Sequence, residues 1–293
     1  MQQAHIAAEM GAIVWWPGTC QHGAVNRHQG APGGNVFDRV AGAYGTVGPD
    51  FFSYFGRRLV DHIGIHRGGR IVDLACGTGA ALVPAAEAVG AGGLSVGVDL
   101  SVAMLRRAGA TDAGSGPQLR LACMDAKHLA IRSESFDAVV CSFALGSFPD
   151  PLSALAECWR VAHPGGRLGL VVSDRWWWEG DERWSWHGDL LQSVGVPVRS
   201  GRFASAEAID SLLKETGWDR RDLVTESFPM VFSGADEWWA WAWSHGYRQI
   251  LESMGAAELT LYRTECFRQL QQHGQPVLGR LEASLVCATR PTR

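Results

Sequence analysis

The sequence predicts an α/β fold in which a mostly parallel sheet carries helices on both faces. Three observations lead there. Short buried apolar runs alternate with segments of helical period between residues 71 and 172, the first run ends in a glycine-rich loop leading straight into a helix, and the next two runs each end in a carboxylate. Strands separated by helical crossovers pair in parallel, with ligands held beyond their carboxyl ends.

Residues 1–34 hold Gly, Pro, Gln and His in no periodic order apart from the patch Ile13 to Trp16, and are expected to form a flexible tail. Residues 35–66 read as a leader of two helices, one with Val36, Phe37, Val40, Ala43 and Tyr44 at helical spacing, the other with Phe51, Phe52, Phe55 and Leu59, separated at Gly48 and Pro49. The core, 67–174, contains strands at Ile71 to Leu74, Leu94 to Val98, Leu119 to Met124, Ala138 to Ser142 and Arg167 to Val172, with helices at 79–90, 101–108 and 151–162. A tryptophan-rich insert follows at 175–200. The core continues over 201–233 with a helix at 205–216 and a strand at 222–232. A second insert, 234–275, is predicted to be a helical lid whose helix 235–252 is apolar on more than one face, and 276–293 supplies a closing strand at 283–289 and a tail. The inserts hold nine of the 13 tryptophans: Trp176, Trp177, Trp178, Trp184, Trp186, Trp238, Trp239, Trp241 and Trp243.

With 46% hydrophobic and 19% charged residues the chain has the material for a large core. A formal net charge of -4 and the lack of any long basic run argue against a nucleic-acid partner. The seven cysteines are odd in number and without CxxC spacing, which points to reduced thiols in a cytoplasmic protein and to no metal site. No apolar stretch is long enough for a membrane span.

The chemistry sits at three strand ends. In Asp73-Leu74-Ala75-Cys76-Gly77-Thr78-Gly79 the glycines stand where backbone must approach a ligand at the start of a helix. A dinucleotide fingerprint would place a third glycine at position 82, where this chain has Leu82, so a nicotinamide-linked dehydrogenase is disfavoured. Asp99, in Val98-Asp99-Leu100-Ser101, lies about twenty residues beyond the loop, the separation expected of a carboxylate gripping ribose hydroxyls. Asp125, in Met124-Asp125-Ala126, follows the third strand and is placed to accept a hydrogen bond from an adenine amino group. The three together point to an adenosyl ligand.

These motifs, with Phe37-Asp38-Arg39-Val40-Ala41, Met104, Ser135-Phe136-Asp137-Ala138-Val139 and Trp159-Arg160-Val161-Ala162-His163-Pro164-Gly165-Gly166, resemble the class I S-adenosylmethionine-dependent methyltransferases, in the branch similar to ubiquinone/menaquinone-biosynthesis and actinobacterial natural-product enzymes. The resemblance covers roughly residues 36–232. It implies a Rossmann-like seven-stranded sheet of order 3-2-1-4-5-7-6 with the last strand antiparallel, S-adenosyl-L-methionine as cofactor and S-adenosyl-L-homocysteine as product. It further implies that Asp73, Ala75, Gly77 and Gly79 line the methionine end, that Asp99 binds the ribose, and that Leu100 and Met104 flank the adenine. Met124, Asp125 and Ala126 would meet its edge, Ser142 and Phe143 would close the site under the sulfonium, and Tyr44 would approach the sulfonium from the leader. Ala75 stands where the family often has glycine.

The expected activity is methyl transfer to a small apolar or aromatic metabolite of secondary metabolism. Two rivals stay open: C-methylation of an isoprenoid or alkene through a tryptophan-stabilised carbocation, and a cyclase or decarboxylase that uses the same cofactor without methylating. Trp176, His187, Trp241 and Trp243 are the candidate acceptor contacts, because ligand pockets are mostly apolar and aromatic. His245, one helical turn beyond Trp241, is the candidate general base. The tryptophan-rich surface is also compatible with a homo-oligomer.

Overall fold

The computed structural model describes residues 35–111, 118–173, 181–197 and 206–292. Strands β1 (Arg70–Leu74), β2 (Leu94–Asp99), β3 (Leu119–Cys123), β4 (Phe136–Ser142), β5 (Ala162–Val172), β6 (Asp219–Phe232) and β7 (Val277–Thr289) form one seven-stranded sheet in the order β3-β2-β1-β4-β5-β7-β6. The pairs β1–β2, β1–β4, β2–β3 and β4–β5 are parallel, whereas β7 runs antiparallel to both neighbours. β1 therefore lies between β2 and β4, and the crevice at its carboxyl end is where the strand order reverses. Ligands of such sheets bind there. The Ile71, Val72 and Leu74 side chains are buried because helices cover both sheet faces.

The leader comprises α1 (Val36–Val40) and α2 (Phe51–Ile63). Asp50 caps α2 by accepting from the Ser53 N–H, and Gly64, at φ 61°, ends it in the left-handed region that glycine adopts without a Cβ clash. The core crossovers are α3 (Leu82–Val89), α4 (Val102–Thr111) and α5 (Pro151–Val161); α5 begins with proline at its first position behind an Asp150 cap.

The inserts supply α6 (Ser185–Ser193), α8 (Ala235–Trp243), α9 (Arg248–Glu252) and α10 (Ala256–Gln272), and α7 (Ala206–Glu215) packs beside β6. Their aromatic side chains join the core: a single apolar cluster runs from Phe55 and Leu59 of the leader through Phe232 to Trp184, Trp238 and Trp241. The expected helix over 235–252 is corrected to two helices with a break after Trp243. The Ser244 backbone N–H, the Ser244 hydroxyl and His245 Nδ1 all donate to the Trp241 carbonyl, displacing the N–H of His245 that a continuing helix would place there, and Gly246 follows. Among the described residues no helix is long and apolar enough to cross a membrane.

Gly56 decides how closely the leader seats on the glycine loop. A Cβ at this position would lie 2.2 Å from the Ala80 carbonyl oxygen, so α2 touches the backbone just below the loop. Gly56→Ala should force the leader outward and destabilise the protein by about 1–3 kcal/mol, which at roughly 2–4 °C per kcal/mol lowers Tm by several degrees. A thermal melt within one degree of the parent would show that the leader does not seat there.

Candidate active site

Four residues with positive φ flank the crevice between β1 and β4: Ala75 at 53°, Gly77 at 54° and Gly79 at 97° after β1, and Phe143 at 56° after β4. The register pairs Asp73 with Val140, which sets Ala75 and Ser142 at the same level across the crevice. A non-glycine residue in this region stores about 1–3 kcal/mol of strain, and such strain collects at ligand sites. At Gly77 a Cβ would meet no protein atom within 4 Å, so the demand for glycine comes from its φ and from the open space beside it.

Asp73 is buried in this crevice, and neither carboxylate oxygen makes a hydrogen bond of normal geometry, the Leu82 N–H standing nearby. Burial first and the charge of Asp99 second push its carboxyl well above the usual carboxylate range, with the Leu82 N–H acting weakly the other way. An ionised carboxylate in such a place needs a cation.

Asp99 is the connecting residue. Its two oxygens accept from the Gly77 and Ser101 N–H groups at 2.8 Å each, tying the glycine loop to the start of α4. Burial and the charge of Asp38 raise its carboxyl, opposed by those hydrogen bonds. The Ser101 hydroxyl donates to Asp38 of α1 and accepts from the Met104 N–H, so α1 is fastened over the same corner.

Leu100 is 46% exposed, an apolar side chain left open next to Asp99. Met104 is buried against Val36, Val40 and Ala41, which corrects the expectation that it flanks the adenine: the leader covers it. Met124 is buried beneath the third strand end, with Ala126 packed on the same cluster. Asp125 accepts from the Lys127 N–H at 3.0 Å and keeps its second oxygen 4.0 Å from the Lys127 ammonium.

The opposite wall is aromatic. Tyr44 stacks on Phe52 with centroids 4.9 Å apart, and Phe52, Phe51 and Phe55 each meet Phe143 nearly at right angles, at 5.4–5.6 Å. Burial, with Asp99 nearby, pushes the Tyr44 phenol up, so it stays protonated at neutral pH. In the sequence Phe52 stands only as one of the apolar residues at helical spacing in the leader. The signal was present in the doublet Phe51-Phe52, since adjacent helical residues point about 100° apart and only one can face the sheet squarely.

The two histidines differ. His245 is half-buried, with its ring 4.0 Å from that of Trp241 and Nδ1 2.7 Å from the Trp241 carbonyl. A carbonyl only accepts, so Nδ1 carries the proton and Nε2 offers its lone pair; burial lowers the imidazole to about 4. His187, in contrast, is fully buried among Trp184, Trp238, Tyr247 and Tyr262, with Nε2 2.6 Å from the Tyr262 hydroxyl. It joins the insert helices and does not face an acceptor, a correction forced by burial. Trp241 is likewise corrected: it packs against Phe232 and the backbone at Gly48. Trp243 is half-buried beneath the Arg248 guanidinium, 5.6 Å from its ring centroid, and Trp176 lies outside the described residues.

Comparison with known proteins agrees with this geometry. A family model described as "Methyltransferase domain" matches residues 72–170. Over 261 residues, 83% of this chain and 92% of the relative, the sequence is 31% identical to the nocamycin O-methyltransferase of Saccharothrix syringae. The chain belongs to the S-adenosylmethionine-dependent methyltransferases. The enzyme is also 38% identical over 138 residues to the aklanonic acid methyltransferase DauC of Streptomyces sp. (strain C5), 46% of this chain and 62% of that one. Among solved structures the [4+2]-cyclase SpnF superposes with a TM-score of 0.53 at 21% identity over 82% of this chain and 81% of that one, a likeness of fold alone. The cofactor of the family is S-adenosylmethionine, and the residues present fit it: a bare buried carboxylate for a cationic group, a second carboxylate at the next strand end, and an exposed leucine for a ring.

Replacing Asp73 separates stability from binding. Because its folded pKa is raised, its contribution to stability is fully present below the unfolded value near pH 4 and is lost as pH rises through the folded value. Asp73→Asn should therefore raise the Tm of the ligand-free enzyme at neutral pH and remove that pH dependence, while weakening S-adenosylmethionine binding at least tenfold. Calorimetry and melts on the same samples check both; unchanged affinity would move the ammonium elsewhere. Asp99→Ala should cost about 2–4 kcal/mol of cofactor affinity through lost charge-assisted hydrogen bonds.

Proposed function

We propose that the enzyme methylates an oxygen of a small, largely apolar acceptor of secondary metabolism. The observation that carries this reading is the two-sided crevice: carboxylates of Asp73 and Asp99 on one wall, and rings of Tyr44, Phe52 and Phe143 on the other. The acidic wall suits a cationic donor, and the aromatic wall suits an apolar partner. The names of the nocamycin and aklanonic acid enzymes support a natural-product acceptor, and the first of them supports oxygen as the atom methylated.

When bound, S-adenosylmethionine supplies an electrophilic methyl group on a sulfonium. The residues then divide the work. Asp73 takes the methionine ammonium, while Ala75, Gly77 and Gly79 let the backbone approach closely. Asp99 holds the ribose hydroxyls, with Leu100 against the adenine face and Met124, Asp125 and Ala126 along its edge. Ser142 and Phe143 bound the donor from below, and Tyr44 offers a ring to the sulfonium, a cation–π contact of about 0.5–2 kcal/mol. Holding the acceptor oxygen in line and excluding water supplies up to roughly 7–11 kcal/mol. Trp243, at the junction of α8 and α9, closes the apolar side. His245 accepts the acceptor's proton at Nε2 because Nδ1 is already committed to the Trp241 carbonyl.

Formation of S-adenosylhomocysteine together with a methylated acceptor, read by mass spectrometry across hydroxylated aromatic and alicyclic compounds, tests the reading; cofactor binding without any turnover would favour a cyclase-like role. His245→Ala should lower kcat by about 10²–10⁴ for a neutral hydroxyl acceptor and leave cofactor affinity within twofold. The neutral imidazole is the active form, so its limb of the pH profile is flat through neutrality and falls only as pH drops through about 4. A limb near pH 6.5 would show that His245 is not buried as described.

A further inference from the structure

We infer that the buried triangle of His187, Tyr247 and Tyr262 aims the His245 imidazole, with Tyr247 as the positioning residue that passes the triangle's geometry on. The inference rests on His245 as the proton acceptor and adds to that reading what holds it. Tyr247 Oη lies 2.6 Å from Tyr262 Oη and 3.2 Å from His187 Nε2, and Tyr262 Oη lies 2.6 Å from His187 Nε2. All three side chains are buried. They come from three separate elements: His187 from α6, Tyr247 from the residue that precedes α9, and Tyr262 from α10.

Burial keeps both phenols protonated and lowers the His187 imidazole to about 3, so at neutral pH two hydroxyl donors meet one neutral ring. The two shorter contacts then form a chain in which Tyr247 donates to Tyr262 and Tyr262 donates to His187 Nε2. Packing alone needs none of these polar atoms, because phenylalanine fills the same volume of an apolar cluster without the cost of burying a hydroxyl. What the hydrogen bonds add is direction, since each fixes a distance and an angle where apolar contact fixes neither. Tyr247 hands that direction to its neighbour. Only Gly246 separates it from His245, a residue with no side chain to stiffen the junction, and the Tyr247 and His245 rings lie 6.5 Å apart and 26° from parallel. The other tethers of His245, the Trp241 carbonyl 2.7 Å from Nδ1 and the Trp241 ring at 4.0 Å, both come from α8. Tyr247 fixes the junction from the α9 side, and with it the direction of Nε2.

Nitrogen NMR of the full-length enzyme with isotope-labelled histidine reads that direction without any acceptor, the His245 signals being assigned by their loss in His245→Ala. At neutral pH the parent should hold His245 in the tautomer protonated at Nδ1 by about 10:1 or more, and Tyr247→Phe and Tyr262→Phe should each bring that ratio below about 3:1 in a protein that still melts cooperatively. Tyr262→Phe is the stricter arm. Among the described residues Tyr262 has no ring contact with His245, so its hydroxyl reaches the imidazole only through Tyr247. A parent protonated at His245 Nε2 would overturn the proton-acceptor reading and the positioning with it. A parent protonated at Nδ1 whose ratio is unchanged in both variants would overturn the positioning and leave the proton acceptor standing. A ratio changed by Tyr247→Phe and untouched by Tyr262→Phe would overturn the triangle as the source of the direction.

Discussion

The Asp99 carboxylate accepts one backbone N–H from the glycine loop and one from the start of α4, and most of the site's geometry hangs on that pair of 2.8 Å contacts. Through Gly77 it sets the height of the loop over the β1–β4 crevice. Through Ser101, whose hydroxyl donates to Asp38, it fastens the leader over the same end of the sheet. A carboxylate serves here because it accepts at two oxygens at once, and hydrogen bonds to a charged acceptor are roughly twice as strong as neutral ones.

That arrangement concentrates negative charge. Asp38 and Asp73 both lie within electrostatic reach of Asp99, and the Asp73 oxygens make no hydrogen bond of normal geometry. The ligand-free protein bears this as a cost, since buried like charges disfavour ionisation. A cationic ligand turns the cost into affinity.

The aromatic residues split into two groups by burial. Trp184, Trp238, His187 and Tyr262 fill the space between the insert helices, where His187 Nε2 lies 2.6 Å from the Tyr262 hydroxyl and the His187 ring meets Trp184 and Trp238 edge to face. Tyr44, Phe52 and Phe143 stay half-buried at the crevice. The insert helices and the leader share one apolar cluster, which makes the inserts part of the core that holds α2 in place. At the break between α8 and α9 the Trp241 carbonyl that ends the helix also sets the tautomer of His245.

Much of the fold was legible in the sequence because its signals are local. Strand and helix differ in apolar period, a glycine loop before a helix needs only its own φ values, and carboxylates at successive strand ends follow from the alternation itself, so the glycine loop at Gly77 and the strand-end positions of Asp73 and Asp99 were readable from residue type and spacing, whereas the sheet order followed from the family resemblance. What the tertiary structure alone decided was which aromatic and which histidine are buried in the core and which are left half-open. Trp241, His187 and Met104 look like site residues by position, yet packing from segments distant in the chain covers each of them: Gly48 and Phe232 over Trp241, Tyr247 and Tyr262 over His187, and α1 over Met104. Phe52 stands among the leader's periodic apolar residues yet is only half-buried. Burial depends on contacts between residues far apart in sequence, and a periodic pattern on one helix carries no information about what arrives to cover it.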